Sequence, residues 1–187
     1  MQRLARRAFL SATASLPLGF AATPAAATLL RGLPLPALVA RSNQVLVLST
    51  LGSRCRYGEI GGRRTIITET TLHVSEVMHQ VSPSERRVTV CTLGGVLDGV
   101  GELVHGQAEF APGSVCLAFL AEAPDGSLWV SGMAQGHYPL SQASGDPSLS
   151  ASPHLPKLLD FEHSAVRTLV RQRLSSARRL VVEASAR

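Results

Sequence analysis

Aromatic residues are scarce in this chain of 187 residues, at only 4% of the total. A buried core must therefore be built mainly from Val, Leu and Ile. No stretch has the roughly 20 strongly apolar residues that a membrane-spanning helix needs. The sequence thus predicts no stable membrane span once the N-terminal segment described below is removed.

Recognisable catalytic and metal-binding motifs are also missing. The chain has no C-x-x-C pair, no H-E-x-x-H pair and no G-x-S-x-G, which excludes the common zinc sites and the nucleophile elbow. His73 with Glu69 would bind a metal only if other strands brought further ligands, and an exposed pair on the wet face of a strand is the favoured interpretation. We therefore expect no metal and no cofactor, and no catalytic residue is identified.

The N-terminal residues 1–27 have the pattern of an export signal. Three arginines and no acid precede a weakly apolar stretch, and a small-residue cleavage site of the A-x-A kind follows it. An adjacent arginine pair before two apolar residues predicts the twin-arginine type, which an export receptor reads; an ordinary secretory signal is the alternative. The signal motif consists of Arg6, Arg7, Phe9 and Leu10, and the cleavage region contains Ala25 and Ala27.

The charge balance argues against nucleic acid as a partner. The whole chain has a formal charge of +5, but three of its arginines lie in the signal, so the high isoelectric point is weak evidence for nucleic-acid binding. Residues 42–152 are mildly acidic and residues 153–187 are basic. The basic tail is expected to be a solvated helix; packing on its own domain or contact with anionic lipid are the alternatives.

Three cysteines are present, an odd number that leaves at least one thiol unpaired in an exported protein. Cys91 and Cys116 lie in strand-like runs, and we expect both to be small buried hydrophobes. A disulfide is the alternative. Cys55 lies between Arg54 and Arg56. Because their positive charges favour the thiolate, Cys55 is predicted to be the most reactive of the three cysteines if it is exposed.

Residues 42–140 predict a mainly β domain. Alternation is clearest over Thr65–Met78, where one face is to meet a core and the other water. The face with the apolar side chains consists of Ile66, Thr68, Thr70, Leu72, Val74 and Met78. Five to six strands at short spacing indicate a small, partly open barrel of the OB type, with a two-sheet sandwich as the alternative. The predicted strands are Gln44–Thr50, Thr65–Met78, Arg86–Leu93, Val115–Leu120, Leu128–Met133 and Gly136–Leu140, with a turn region over Tyr57–Gly62.

The remaining segments predict connections and one helix. Residues 28–41 are interpreted as a linker or short helix, and residues 141–159 as a flexible linker rich in Ser, Pro and Gly. Residues 160–187 form the basic C-terminal helix and tail. Its helical spacing runs from Asp160, a plausible N-cap, to Ala177.

A glycine-rich stretch after the third strand is the candidate ligand or partner loop. Its glycines are too many for regular structure, and the favoured interpretation is a tight, irregular connection. Main-chain amides in such a loop can cradle an anion, but the nearby side chains are acidic, so a partner or cation is a better match than a phosphate. The residues are Gly94, Gly95, Asp98, Gly99 and Gly101.

The middle of the chain, from Asn43 to Leu140, resembles a group of small, uncharacterised exported bacterial β-barrel-like proteins. The resemblance implies a fold and a location, and it carries no catalytic residue because that group has no established activity. Three positions depart from the pattern: Ser114, where an acid is common, and Cys91 and Cys116, where aliphatic residues are usual. The matching segments are Thr68–Val77, Thr92–Gly95, Phe110–Gly113, Leu117–Leu120 and Gly132–Gly136.

Two functions of different classes remain open. The favoured one is a non-enzymatic binding or interaction module, acting in the periplasm or outside the cell on an unknown protein or small molecule. The alternative is a metal-binding protein or enzyme whose site assembles only in the folded structure. In both, the export machinery is a partner through the signal peptide.

Overall fold

A computed structural model describes residues 29–80, 86–141 and 145–186. The predicted export signal lies outside these residues, with its motif and its cleavage region. The described chain is mainly β, with helices near both ends. Its strands are β1 (Leu30–Arg31), β2 (Gln44–Ile60), β3 (Arg63–Gln80), β4 (Arg87–Leu93), β5 (Gly95–Leu97), β6 (Val100–Glu102), β7 (Val115–Glu122), β8 (Leu128–Val130), β9 (His137–Pro139) and β10 (Leu158–Leu159); its α-helices are α1 (Leu35–Ala40), α2 (Ala165–Leu169) and α3 (Leu174–Ser185).

Strands β2 and β3 form one long antiparallel hairpin that turns at Gly61 and Gly62. The predicted turn region over Tyr57–Gly62 is confirmed at Gly61 and Gly62 but wrong for Tyr57–Ile60, because β2 continues ten residues beyond Thr50 and pairs along β3 as far as Arg63. Few apolar residues lie in that extension, so cross-strand pairing rather than its own burial holds it in place.

The main sheet has the order β2-β3-β4-β8-β7-β9, and β2 also pairs with β7. All of these pairings are antiparallel except that of β4 with β8, which is parallel. The prediction of a mainly β chain with a helix at its C-terminal end is confirmed.

Two hydrophobic clusters lie on opposite faces of this sheet because side chains alternate along each strand. On β2, Leu46 and Leu48 belong to one cluster, while Val45 and Val47 belong to the other. Strand β7 divides in the same way, and the five residues Cys116 to Leu120 are all buried. This explains its apolar character on both faces and its position between β2 and β8.

Helix α1 lies inside the segment predicted as a linker and is part of the core. Leu38 and Val39 are buried in the cluster that the helices cover. The amide of Gln135 fastens the preceding chain: its Oε1 accepts from the N–H of Leu33 at 2.9 Å, and its Nε2 donates to the carbonyl of Arg31 at 3.1 Å.

The C-terminal segment packs on the domain instead of standing free in solvent. The predicted single helix from Asp160 to Ala177 was wrong: α2 begins after Ser164, whose hydroxyl accepts from the N–H of Arg167, and α3 follows. Asp160 has φ 57° and makes no cap hydrogen bond. Ala177 in α3 is fully buried, and Arg178 pairs with Glu76 of β3, so packing on its own domain describes the tail better than a solvated helix.

The segment predicted as a flexible linker also contains packed residues. Leu149 is buried and bridges Leu140, and Ser148 bridges Arg173. None of the helices in the described ranges is long and apolar enough to cross a membrane.

Candidate functional site

The glycine-rich stretch contains a regular β-hairpin, so the expectation of irregular structure was wrong. Strands β5 and β6 pair antiparallel, with Gly95 opposite Glu102 and Leu97 opposite Val100. Asp98 and Gly99 make the turn, with φ 52° and 76°. Both values belong to the primed turn that fits a two-residue hairpin loop.

Hydrogen bonds at the open end of this hairpin, from both of its strands, hold it against β3. The carboxylate of Glu102 accepts from the hydroxyl of Thr65 at 2.6 Å and from the N–H of Ile66 at 2.7 Å. These bonds, the Thr65 hydroxyl first, lower the pKa of Glu102. On the other strand at the same open end, the hydroxyl of Thr68 donates to the carbonyl of Gly94 at 2.7 Å. The hairpin is therefore held in a fixed position on the surface of the sheet.

A groove of about 1270 Å³ opens beside the hairpin. Four hydroxyl residues of β2, β3 and β4 line it, together with the segment from Leu103 to Pro112 and a second segment, Pro153 to Lys157. We call it the hydroxyl groove. Its hydroxyl residues are Ser53, Thr68, Thr70 and Thr92.

The predicted candidate loop contributes only in part to this groove. Gly94, Gly95 and Gly101 line it, whereas Asp98 and Gly99 at the hairpin turn do not. The glycines have a steric role there: a β-carbon on Gly94 would lie 2.7 Å from the carbonyl oxygen of Glu102. The glycines thus form part of the groove wall, and Val96 is the apolar side chain that the stretch adds to the lining.

Thr70 and Thr92 are buried residues whose hydroxyls have no partner within the described residues. Thr70 is 2% exposed and Thr92 is 6% exposed, and within the described residues neither side chain makes a hydrogen bond. Both residues line the groove. Their oxygens differ from the Oη of Tyr138, which is sealed in the core without a partner. Neither oxygen is among the sealed atoms without a partner, and both residues line the groove, so these two hydroxyls are available to a ligand.

Apolar and charged groups border the hydroxyls. Val96 and Leu103 line the groove and are 71% and 76% exposed. Glu109 and His154 pair across the two lining segments at 2.5 Å. Lys157 is the only Lys or Arg among the lining residues. The groove therefore has an uncharged polar part and a border in which apolar side chains stand beside the charged Glu102, Glu109 and Lys157.

Sequence reasoning missed Ser53, Thr70 and Thr92 as site residues. A signal was present for Thr70, because it falls on the same face of β3 as Leu72, which is buried as predicted. A polar residue on a core-facing position needs a partner or a site. No such signal pointed to Thr92, because no buried and exposed faces were predicted for its strand.

His137 and Ser152 form a buried pair near the groove. Their Nδ1 and Oγ atoms are 3.1 Å apart, and both residues are at least 96% buried. Phe110 contacts the ring of His137 edge-on at 5.0 Å. Desolvation lowers the pKa of His137 to about 4, so the imidazole is neutral near pH 7. A base–hydroxyl pair closed off in this way is structural.

Cys55 does not face the arginines beside it in the sequence. Arg54 and Arg56 both bond to the carboxylate of Glu69, whereas the thiol of Cys55 lies 3.4 Å from the hydroxyl of Thr68, on the other face. The two arginines, Arg56 first, lower the pKa of Glu69. The expected activation of Cys55 by its neighbours is therefore not supported by this geometry.

The other two cysteines are core residues, as predicted. Cys91 and Cys116 are buried and free, and burial raises the pKa of the Cys116 thiol to about 12. In the described ranges, no three His, Cys, Asp or Glu side chains come together as a metal site would require. The Glu69 carboxylate, weighed as a metal ligand with His73, is engaged by the two arginines.

No protein-family model, curated protein or solved structure matches this chain. The resemblance to small exported β-barrel-like proteins therefore stays a prediction. The candidate site rests on the geometry of the hydroxyl groove.

Proposed function

We propose that this chain is an exported, non-enzymatic binding module that holds its ligand in the hydroxyl groove. The observation that carries the proposal is that Thr70 and Thr92, two buried residues whose hydroxyls have no partner within the described residues, line a groove of about 1270 Å³. Concave sites with a few fixed polar groups and apolar borders are typical of ligand binding.

We infer further that the sheet is a partly open barrel of the OB type. The pairings support it, because β2, β3, β4, β8 and β7 follow one another and β7 returns to β2. A two-sheet sandwich does not require the pairing of β7 with β2. In barrels of this type, the second and third strands and the neighbouring loops bind ligands. The corresponding strands here are β3 and β4, which supply Thr68, Thr70 and Thr92.

The site of action that we propose is the periplasm or the cell exterior. The arginine pair Arg6-Arg7 and the small-residue region at Ala25 and Ala27 support export through the twin-arginine route. The export machinery is then the first partner of the chain. Nucleic acid is not proposed as a ligand, because one Lys and no Arg line the groove and phosphate backbones are bound mainly by such cations.

The arrangement of the side chains gives less support to the alternative that the chain is an enzyme. Its best pair, His137 with Ser152, is buried behind Phe110, where a substrate would have to displace core residues. A nucleophile and its base need access to the reacting group.

The proposal is tested on mature protein purified from the native exported fraction. Mass spectrometry of the intact protein under native conditions should reveal a bound molecule in the wild type. The variant carrying Thr70→Val and Thr92→Val should lose it, while Thr71→Val, an exposed neighbour on β3, should keep it. A turnover abolished by one point substitution, or binding that is unchanged in the double variant, would refute the proposal.

A further inference from the structure

One wall of the hydroxyl groove is a stretch of extended chain in which, apart from the carbonyl of Ala111 that accepts from the N–H of Ser114, few main-chain groups are paired. Along residues 107–111, burial alternates: Ala108 and Phe110 are buried, while Glu109 and Ala111 are exposed. Such alternation is typical of an extended chain. Within the described residues, none of the N–H groups from Gln107 to Phe110 donates to another backbone carbonyl.

Unpaired main-chain groups on an extended segment are a template for another extended chain. Recognition by strand addition uses such groups for affinity and uses neighbouring pockets for side chains. The segment is anchored from behind by Phe110, which packs with Leu46 and Leu48 in one core cluster. Its conformation is therefore fixed before any ligand arrives.

The hydroxyls of the same groove select for uncharged polar groups. A threonine hydroxyl both donates and accepts, which matches a peptide N–H and C=O equally well. Burying an ionised group against these two hydroxyls would be costly, because neither carries a charge and the lining carboxylates of Glu102 and Glu109 already accept hydrogen bonds from other residues.

The size and border of the groove also favour a peptide. Its volume of about 1270 Å³ exceeds the roughly 300–1,000 Å³ of pockets for single small molecules. Val96 and Leu103 offer exposed apolar contacts for side chains. Phe110, the aromatic residue that lines the groove, is only 7% exposed and thus offers no open ring face for a sugar.

We propose that the hydroxyl groove binds an extended peptide segment with uncharged polar and apolar side chains, paired through its main chain with residues 107–111 and with the hydroxyls of Thr70 and Thr92. This inference rests on the proposed function, since it names the ligand class of the same groove. Main-chain pairing supplies affinity, and the apolar border selects side chains.

The test uses mature full-length protein and a library of acetylated, amidated nine-residue peptides. In the library, Val, Leu or Ala alternates with Ser, Thr or Gln, and bound members are identified by mass spectrometry. We expect a subset of peptides to be enriched by wild-type protein and by Thr71→Val. For enriched peptides, Thr70→Val and Thr92→Val should each weaken binding about tenfold, as the loss of one hydrogen bond to a buried partner predicts.

A second measurement keeps the test independent of any folding defect in the variants. Methylation of alternate backbone nitrogens in an enriched peptide removes donors without changing its side chains, and should weaken binding to wild-type protein by tenfold or more. No enriched peptide, or equal binding of the methylated form, would overturn the inference. If maltoheptaose, palmitate or a dT12 oligonucleotide instead binds and is lost in the Thr70→Val and Thr92→Val variants, the peptide assignment fails while the groove remains a binding site.

Discussion

The backbone of Gly95 lies against the thiol of Cys55. A β-carbon built on Gly95 would be 2.7 Å from the sulfur of Cys55 and 2.6 Å from the hydroxyl of Thr68. This contact joins the hairpin β5–β6 to the hydroxyl side of the sheet. The position of one wall of the groove thus depends on the absence of a side chain.

Gly95→Ala should therefore destabilise the protein by about 2 kcal/mol, through the added contact and through the backbone conformation at φ 134°. Urea unfolding of the mature protein measures the change. Gly99→Ala is the matched control: it also has positive φ, but no atom lies within 4 Å of its built β-carbon. Its cost should be about 1 kcal/mol. Equal losses in the two variants would contradict the close approach.

Thr70→Val should raise the melting temperature of ligand-free protein. The substitution keeps the shape of the side chain and, at a residue that is 2% exposed, removes a hydroxyl without a partner in the described part of the chain, a change worth about 1 kcal/mol. Thr71→Val on the exposed face should stay within about 0.5 kcal/mol of wild type. A clear loss of stability in Thr70→Val would mean that the hydroxyl is bonded inside the protein and is not free for a ligand.

Stability should fall as the pH drops from about 6.5 towards 4, because of His137. Its pKa is lowered from 6.5 to about 4 by burial, so in that window the unfolded chain binds more protons than the folded one. The contribution is complete above pH 6.5 and decreases by up to about 3 kcal/mol on acidification. Urea midpoints at pH 7, 5.5 and 4.5 measure it.

A variant that removes the titrating group separates His137 from the rest of the protein. His137→Gln keeps a polar side chain beside Ser152 and should flatten the pH dependence in this window. His73→Gln, on the exposed face of β3, should leave it as in the wild type. An unchanged slope in His137→Gln would show that other groups cause it.

Gln135→Met should cost about 2 kcal/mol, because it leaves the N–H of Leu33 and the carbonyl of Arg31 without their partner. The side chains are similar in length, so packing changes little. Gln172→Met is the control, since the side chain of Gln172 makes no hydrogen bond in the described part of the chain. Thermal unfolding distinguishes the two, and equal shifts would contradict the role of the Gln135 amide.

Replacing Arg6 and Arg7 with Lys should block export if the signal is of the twin-arginine type, because the receptor reads the arginine pair rather than its charge. The fraction of mature protein outside the cytoplasm measures the effect. Arg3→Lys, outside the pair, should export normally. Undiminished export of the double variant would favour the general secretory route.

Local pattern accounted for the six strands of the main sheet but not for their ends, and it missed β1, β10 and the hairpin β5–β6. Alternation on β3 placed Leu72 on the buried face because side chains on a strand point to opposite sides with a period of two. The second half of β2 escaped prediction, since residues 53–60 are polar and are held by pairing with β3. The predicted helix Asp160–Ala177 began too early, and helical spacing did not reveal the break between α2 and α3, where Val170 and Arg173 are extended and Arg171 has φ 69°.

The sequence by itself determined the mainly β class, the burial of Cys91 and Cys116, and the buried face of β3, because each follows from neighbours a few positions away. Only the tertiary structure decided that Thr70 and Thr92 share a groove, that a hairpin forms one of its walls, and that Arg54 and Arg56 turn away from Cys55. These facts depend on which strands lie side by side. The residues of the groove come from β2, β3, β4 and the segment 103–112, so no regular spacing in the sequence marks them as one site.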